Sequence, residues 1–165
     1  MPYVELQKML DEANAWGFFC YDKGCYVEEL SDGLVDALVE RFPQKVSPLS
    51  IVLFYRLDGA YSAPAEDATA FSGGRSPRFG VFIIGVCPAP EMLSGEQAWV
   101  RSVAEAIRPY AVSDGSYVNG SSEFDDLDPV AAAYGAAKFG RLVELKSKYD
   151  PADLLHGNAR VAPAG

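Results

Sequence analysis

Residues 79–87, Phe-Gly-Val-Phe-Ile-Ile-Gly-Val-Cys, constrain the fold of this chain more than any other stretch. β-branched and aromatic side chains suit a pleated, half-buried surface, so this run predicts a strand. A second run, 49–57, is apolar throughout except for Ser50 and Arg56, the pattern of a buried strand. Residues 18–21 are aromatic-rich, break at Asp22-Lys23-Gly24 and resume at Cys25-Tyr26-Val27, which predicts an interrupted strand over 18–27. Between 60 and 78 the chain turns to Ala, Pro, Ser and Gly, too rich in turn residues for regular structure.

Helical spacing accounts for most of the remainder. Residues 3–14 read as a first helix with an incomplete apolar face of Val4, Leu6, Leu10 and Ala13. Ser31 is placed to cap a second helix whose buried face would be Leu34, Val35, Leu38, Val39 and Phe42, with Pro43 as its stop. Over 95–110, Trp99, Val100, Val103, Ala104, Ile107 and Tyr110 fall on one side, with Arg101, Glu105 and Arg108 turned away. Residues 116–119 read as a short strand. Asp128-Pro129 then opens a helix, Asp as cap and Pro at the first position, which Gly135 interrupts. A final helix aligns Phe139, Leu142, Val143, Lys146 and Tyr149 and stops at Pro151. Together these elements predict an α+β fold, with 18–27, 49–61 and 79–87 in one antiparallel sheet and helices packed mainly on one face. A parallel doubly wound sheet is the alternative, although no Gly-rich phosphate turn follows any strand.

At 165 residues the chain is a single domain by length. No apolar run approaches the ~20 residues that cross a bilayer, and residues 1–8 lack the pattern of a secretory signal. The expectation is a soluble, cytoplasmic protein without a membrane partner. A net charge of -9 opposes binding to nucleic acid, which requires clustered Lys and Arg. Cys20, Cys25 and Cys87 are odd in number and lack metal-type spacing, so inert thiols are expected. A Cys20–Cys25 disulfide is conceivable only if 22–23 form a hairpin loop.

No nucleophile constellation is visible. His156 is the single histidine, and neither a G-x-S-x-G elbow nor an H-E-x-x-H pair is present, which removes hydrolase triads and zinc chemistry. Tyrosine is abundant instead. Tyr55, Tyr61, Tyr110, Tyr117 and Tyr134 all lie in or beside predicted elements, where such residues mostly serve as amphipathic packing.

One pattern remains. Pro2 to Gln7, Tyr21-Asp22-Lys23-Gly24, Leu57-Asp58-Gly59-Ala60, Ala68-Thr69-Ala70-Phe71, Arg75, Trp99-Val100-Arg101 and Pro109-Tyr110 lead into Tyr117-Val118-Asn119. Ala133-Tyr134-Gly135, Arg141-Leu142-Val143-Glu144-Leu145-Lys146 and Tyr149-Asp150-Pro151 then close the series. This succession resembles the C-terminal substrate domain (1–115) and tail (116–165) of the berberine bridge enzyme-like FAD-linked oxidases.

The resemblance implies an antiparallel sheet roofing the flavin ring, with FAD as cofactor and a small-molecule substrate. It implies that the FAD-binding domain lies upstream and has no counterpart here, so this chain alone would hold FAD weakly or not at all. Tyr55 stands three residues before the Asp58-Gly59-Ala60 turn, where berberine-type enzymes carry a glutamate base; the family's turn is Gly-Gly-Ala. The resemblance makes Tyr55 and Tyr117 the catalytic candidates, Asn119 and Asn158 the cofactor contacts, and Arg75 and Tyr61 the substrate contacts. Gly120 replaces the family's aromatic after Asn119, Asp153 its asparagine, and Asn158-Ala159-Arg160-Val161 its Asn-Gln-Asn-Ile. A tyrosine base also needs a nearby cation or the oxidised flavin to lower its pKa, and Arg56 or Arg75 could supply that cation. The expected partner is an FAD-binding subunit, or a second copy where none is present. The alternative is a flavin-free domain that binds a small molecule and catalyses acid-base isomerisation or cyclisation, or a homodimeric binding protein.

Overall fold

In a computed structural model, residues 1–9, 11, 16–112, 129–157 and 160–164 are described. Three strands, β1 (Phe19–Val27), β2 (Ile51–Leu57) and β3 (Arg78–Cys87), form one sheet in the order β1-β3-β2. Both pairings are antiparallel. The stretch with the strongest strand pattern therefore becomes the central strand, and the expected α+β architecture is what forms. Four helices complete it: α1 (Tyr3–Lys8), α2 (Asp32–Arg41), α3 (Leu93–Ile107) and α4 (Pro129–Tyr149).

The core lies between the sheet and α3. Trp99, Val100, Val103 and Ile107 pack with Tyr21, Val27, Val81, Ile83 and Leu34. Side chains alternate along a strand, so Phe79, Val81, Ile83, Gly85 and Cys87 of β3 share the helix face. Gly85 is where the helix comes closest. A Cβ there would sit 3.1 Å from Val100 Cγ2 and 3.2 Å from Glu96 Cβ, so the small residue sets the depth at which α3 lies on β3.

Local signals held where the chain itself dictates the conformation. Ser31 caps α2, its hydroxyl accepting from Leu34 N at 3.4 Å. Pro129 is the first residue of α4, and Gly135 breaks that helix with φ 71°, ψ 158°, a conformation that disfavours side chains with a Cβ.

Three expectations are corrected, and the reading of the cysteines as free thiols is kept. Strand β1 runs unbroken through Asp22-Lys23-Gly24, because those residues pair with Ile84, Ile83 and Phe82 of the central strand and pairing overrides their turn character. Cys20 and Cys25, an odd number of residues apart on one strand, therefore point to opposite faces, and all three cysteines are free thiols. Strand β2 is exposed along much of its length rather than buried, since it is a sheet edge among the described residues. On α2 only Leu34 is fully buried; Val35 is exposed and Val39 is 66% exposed, because the helix packs chiefly against α3 and not on the sheet. The first helix is described as far as Lys8, and Leu10 and Ala13 lie outside the described residues, as do the strand expected over 116–119 and the boundary at 115/116.

A buried polar knot ties the helix layer to the sheet. Glu96, in the first turns of α3, is fully buried. Its carboxylate accepts hydrogen bonds from Ser47 N and, at 2.8 Å, from Ser50 Oγ. Ser50 Oγ in turn accepts from Val86 N at 2.9 Å. Lys45 Nζ donates to the carbonyls of Ser50 (2.7 Å) and Pro48 (3.1 Å), fixing the segment that leads into β2.

Candidate functional site

The face of the sheet turned away from α3 carries the site suggested by the sequence. The register places Asp22, Ile84 and Ile51 in one cross-strand row, Gly24, Phe82 and Leu53 in the next, and Tyr26, Gly80 and Tyr55 in the third. Apart from Asp22 these rows are apolar or aromatic. Tyr55 is 52% exposed and meets Phe82 edge-on, ring centroids 5.6 Å apart. T-shaped contact fixes the phenol ring at its base while leaving most of it accessible.

At the end of this face, residues 58–77 fold back over Tyr26. A Cβ on Gly73 would lie 2.7 Å from Tyr26 Oη, so a side chain there would displace the loop. Arg75 organises the loop. Its guanidinium stacks over Phe71 (4.8 Å) and Tyr61 (5.4 Å), and donates to Thr69 Oγ1 at 2.6 Å and Tyr61 O at 3.2 Å. Arg75 N donates to Glu66 Oε2 at 2.7 Å, and Lys138 of α4 closes the arrangement on Glu66 Oε1 at 3.2 Å and Phe71 O at 3.0 Å. The Tyr61 hydroxyl donates to Gly74 O. Burial pushes the Tyr61 phenol up, against the opposing pull of Arg78 and Arg75, so it serves as a neutral hydrogen-bonding group. Both proposed substrate contacts, Arg75 and Tyr61, thus lie together in this loop, the Tyr61 hydroxyl and the two terminal guanidinium nitrogens of Arg75 engaged inside it and Arg75 Nε buried without a hydrogen-bond partner.

The turn after β2 explains one departure from the family pattern. Asp58 has φ -153°, extended backbone open to any residue, whereas Gly59 has φ 56°. Only the retained glycine is required by the backbone. Arg56 does not share the face of Tyr55: it stacks over Phe79 at 4.8 Å and pairs with Asp58 Oδ2 at 2.7 Å. Strand alternation turns Arg56 away from Tyr55, so it is not placed to supply a cation there. Tyr117, Asn119 and Asn158 lie outside the described residues.

The tail after α4 is held by charge. Lys146 Nζ contacts Asp150 Oδ2 at 2.5 Å and Asp153 Oδ1 at 2.8 Å, and Arg160 pairs with Asp153. Asp153 has φ 52°, the left-handed region that Asn and Asp tolerate best after glycine, which accounts for an aspartate replacing the family's asparagine. Leu154 N and Leu155 N each donate to Asp150 at 2.9 Å. The Lys146 hydrogen bond, then these two amides, pull the Asp150 carboxyl down to about 2. A depressed carboxyl stabilises the fold fully above its unfolded value of 3.8, and that contribution is lost as pH falls through about 2. The Leu154 and Leu155 amide resonances are expected to titrate with a midpoint near the lower value. A midpoint at 3.8 would mean that Asp150 does not hold the tail.

Cys25 and Cys87 face the helix layer, where burial pushes the Cys25 thiol up to about 11 and raises Cys87 as well. Neither offers a thiolate at neutral pH. Among the described residues no three His, Cys, Asp or Glu side chains gather as a metal site would require, and no helix is long and apolar enough to cross a membrane.

Comparison with solved structures decides the fold family. A BBE-like protein of Arabidopsis thaliana superposes with a TM-score of 0.76 over 90% of this chain, at 18% identity. The fold is that of the berberine bridge enzyme-like proteins. Berberine bridge enzyme from Eschscholzia californica matches with a TM-score of 0.73 over 89% of the chain at 18% identity. A grass pollen allergen with glucose dehydrogenase activity gives 0.76 over 92% at 20%. In sequence the chain is 24% identical, over 164 residues and 99% of its length, to an FAD-linked oxidoreductase of Dictyostelium discoideum. No protein-family profile matches it. The resemblance read from the sequence is borne out, as a partial berberine bridge enzyme-like chain: it spans about a third of the length of these relatives, 35% of the Dictyostelium protein and 34% of the Arabidopsis one.

FAD can be tested against the described side chains in two parts. The open face of Tyr55, Phe82, Leu53 and Ile84 offers apolar and aromatic contact to a planar ring. The pyrophosphate has no such fit. Arg56 is paired with Asp58, Lys138 with Glu66, and Arg75 and Arg78 are bonded within their own loop. A bound flavin would supply hydride acceptance, while the chain's own residues would supply the surface and the phenol.

Proposed function

We propose that this chain is the substrate-binding and flavin-capping part of an FAD-dependent oxidoreductase, acting with an FAD-binding domain carried outside these residues. The observation that carries this reading is the open sheet face, where Tyr55 stands on Phe82 at the position that the family resemblance assigns to the base. Similarity to an FAD-linked oxidoreductase along nearly the whole chain supports it. In this role the sheet excludes water from one side of the ring, Tyr55 exchanges a proton with the substrate, and the 58–77 loop bounds the cavity at the Tyr26 end. The family resemblance would assign Tyr117 to the substrate and Asn119 and Asn158 to the flavin, and all three lie outside the described residues.

A ring-only fit makes a specific prediction for the isolated chain. Riboflavin and FAD are expected to bind with similar, weak affinity, because the dinucleotide finds no added contacts, and Tyr55→Ala is expected to weaken both. Titration by flavin fluorescence quenching measures this. Tight binding of FAD but not of riboflavin would overturn the ring-only fit.

A further inference from the structure

The loop that holds Arg75 and Tyr61 is gripped by one turn of α4, just past the break at Gly135. Lys138 and Arg141 are three residues apart and so share a side of the helix. Lys138 Nζ donates to Glu66 Oε1 at 3.2 Å and to Phe71 O at 3.0 Å, and Arg141 Nη1 donates to Asp67 O at 3.4 Å. Only 12% of the Lys138 side chain is exposed, against 62% of the Glu66 side chain. An ion pair exposed at both ends would contribute little. Here the ammonium is largely withdrawn from water and holds two separate points of the loop.

Each of those points leads on to Arg75. Glu66 uses its other oxygen to accept from Arg75 N at 2.7 Å. The Arg75 amide first, and Lys138 after it, hold the Glu66 carboxyl below its ordinary value, so it stays ionised between them. Phe71, whose carbonyl Lys138 holds, lies beneath the Arg75 guanidinium and meets Tyr61 edge-on, ring centroids 5.7 Å apart. We propose that Lys138 is the positioning residue of the substrate loop, acting through Glu66 and Phe71 to fix Arg75 and Tyr61 at the Tyr26 end of the sheet face. That the loop serves substrate rests on the substrate-binding reading above, whereas the relay consists wholly of contacts between described residues. It gives α4, which carries none of the site residues read from the sequence, a part in the site.

Amide exchange of the intact chain, followed residue by residue by nuclear magnetic resonance, tests the relay. Lys138→Met keeps the stem and removes the ammonium. The Arg75 amide, which Lys138 does not touch, is expected to exchange about fivefold faster in this variant, the factor that one net hydrogen bond contributes. Lys138→Arg keeps the charge and its donors and should restore the protection. Arg141→Met loses a contact from the same turn of α4 but lies outside the relay, so it should leave the Arg75 amide as it is; this separates positioning from a general loosening of the helix. Exchange is read without flavin or substrate, so failure of the relay is distinct from failure of the flavin-capping reading, which turnover of the assembled enzyme reports. An Arg75 amide indifferent to Lys138→Met, or released equally by Arg141→Met, would overturn the proposal.

Discussion

Tyr55→Phe is expected to reduce turnover by about 10²- to 10⁴-fold when the chain is assembled with a flavin-carrying partner, the range that a positioned proton-transfer group contributes. The change deletes one oxygen and nothing else. The ring keeps its edge contact with Phe82, and its half-exposed position limits any stability change to about 0.5 kcal/mol. Loss should therefore appear in kcat and kcat/KM together with little change in KM, because the phenol acts in the transition state and adds little to ground-state binding. A second readout separates chemistry from packing: the variant should melt within a few degrees of the parent while turnover falls. An unchanged rate would remove Tyr55 from the mechanism and leave the open face as a binding surface only.

How much of this was legible in the sequence depended on whether the deciding force was local. Ser31, Gly135 and Pro129 act through their own backbone or that of their next few neighbours, and each was readable as a cap, a break or a start. Strand β3 was legible because a central strand is covered on both faces, almost entirely on the helix side and at least partly on the other, so its composition is uniform. The segment 22–24 was misread for the opposite reason. Asp22, Lys23 and Gly24 have turn character, but nine successive pairings with β3, from Phe19↔Cys87 to Val27↔Phe79, hold them extended. Composition alone does not contain a partner strand.

The exposed residues of β2 and α2 teach a related lesson. Ile51, Phe54, Val35 and Val39 fit buried patterns by spacing, yet stand open in a chain that spans about a third of its relatives. Their pattern registers contacts that these residues do not make among themselves. For the site, the family resemblance located Tyr55, and the register then added Phe82, Tyr26 and Gly80 as its neighbours. Periodicity on β2 alone separates Tyr55 from Arg56, a separation that decides against Arg56 as its helper cation.

Glu96 was missed, although a signal existed. It lies one turn before Val100 on the stripe that continues to Val103 and Ile107, so a carboxylate occupies an apolar position. Glutamate is almost never fully buried without partners. Here the partners are Ser47 N and Ser50 Oγ, and the N-terminal end of α3 adds a favourable field. Glu96→Ala would leave both donors buried without an acceptor, at about 1–3 kcal/mol each, and would open a cavity beside Gly85. A loss of about 3–5 kcal/mol is therefore expected, lowering Tm by roughly 10 °C in a domain of this size. Glu96→Gln should cost less, because it retains the volume and one acceptor oxygen while turning an NH₂ toward a donor. Thermal unfolding followed by circular dichroism distinguishes the two variants. If Glu96→Ala melts within about 2 °C of the parent, well inside a 1 kcal/mol change, the knot does not hold the helix layer to the sheet. The consequence reaches the site, because Ser50 directly precedes β2. Once Ser50 loses Glu96, the strand that carries Tyr55 keeps only its ladder with β3 on one side, and its N-terminal end should become the first part of the sheet to exchange its amide protons.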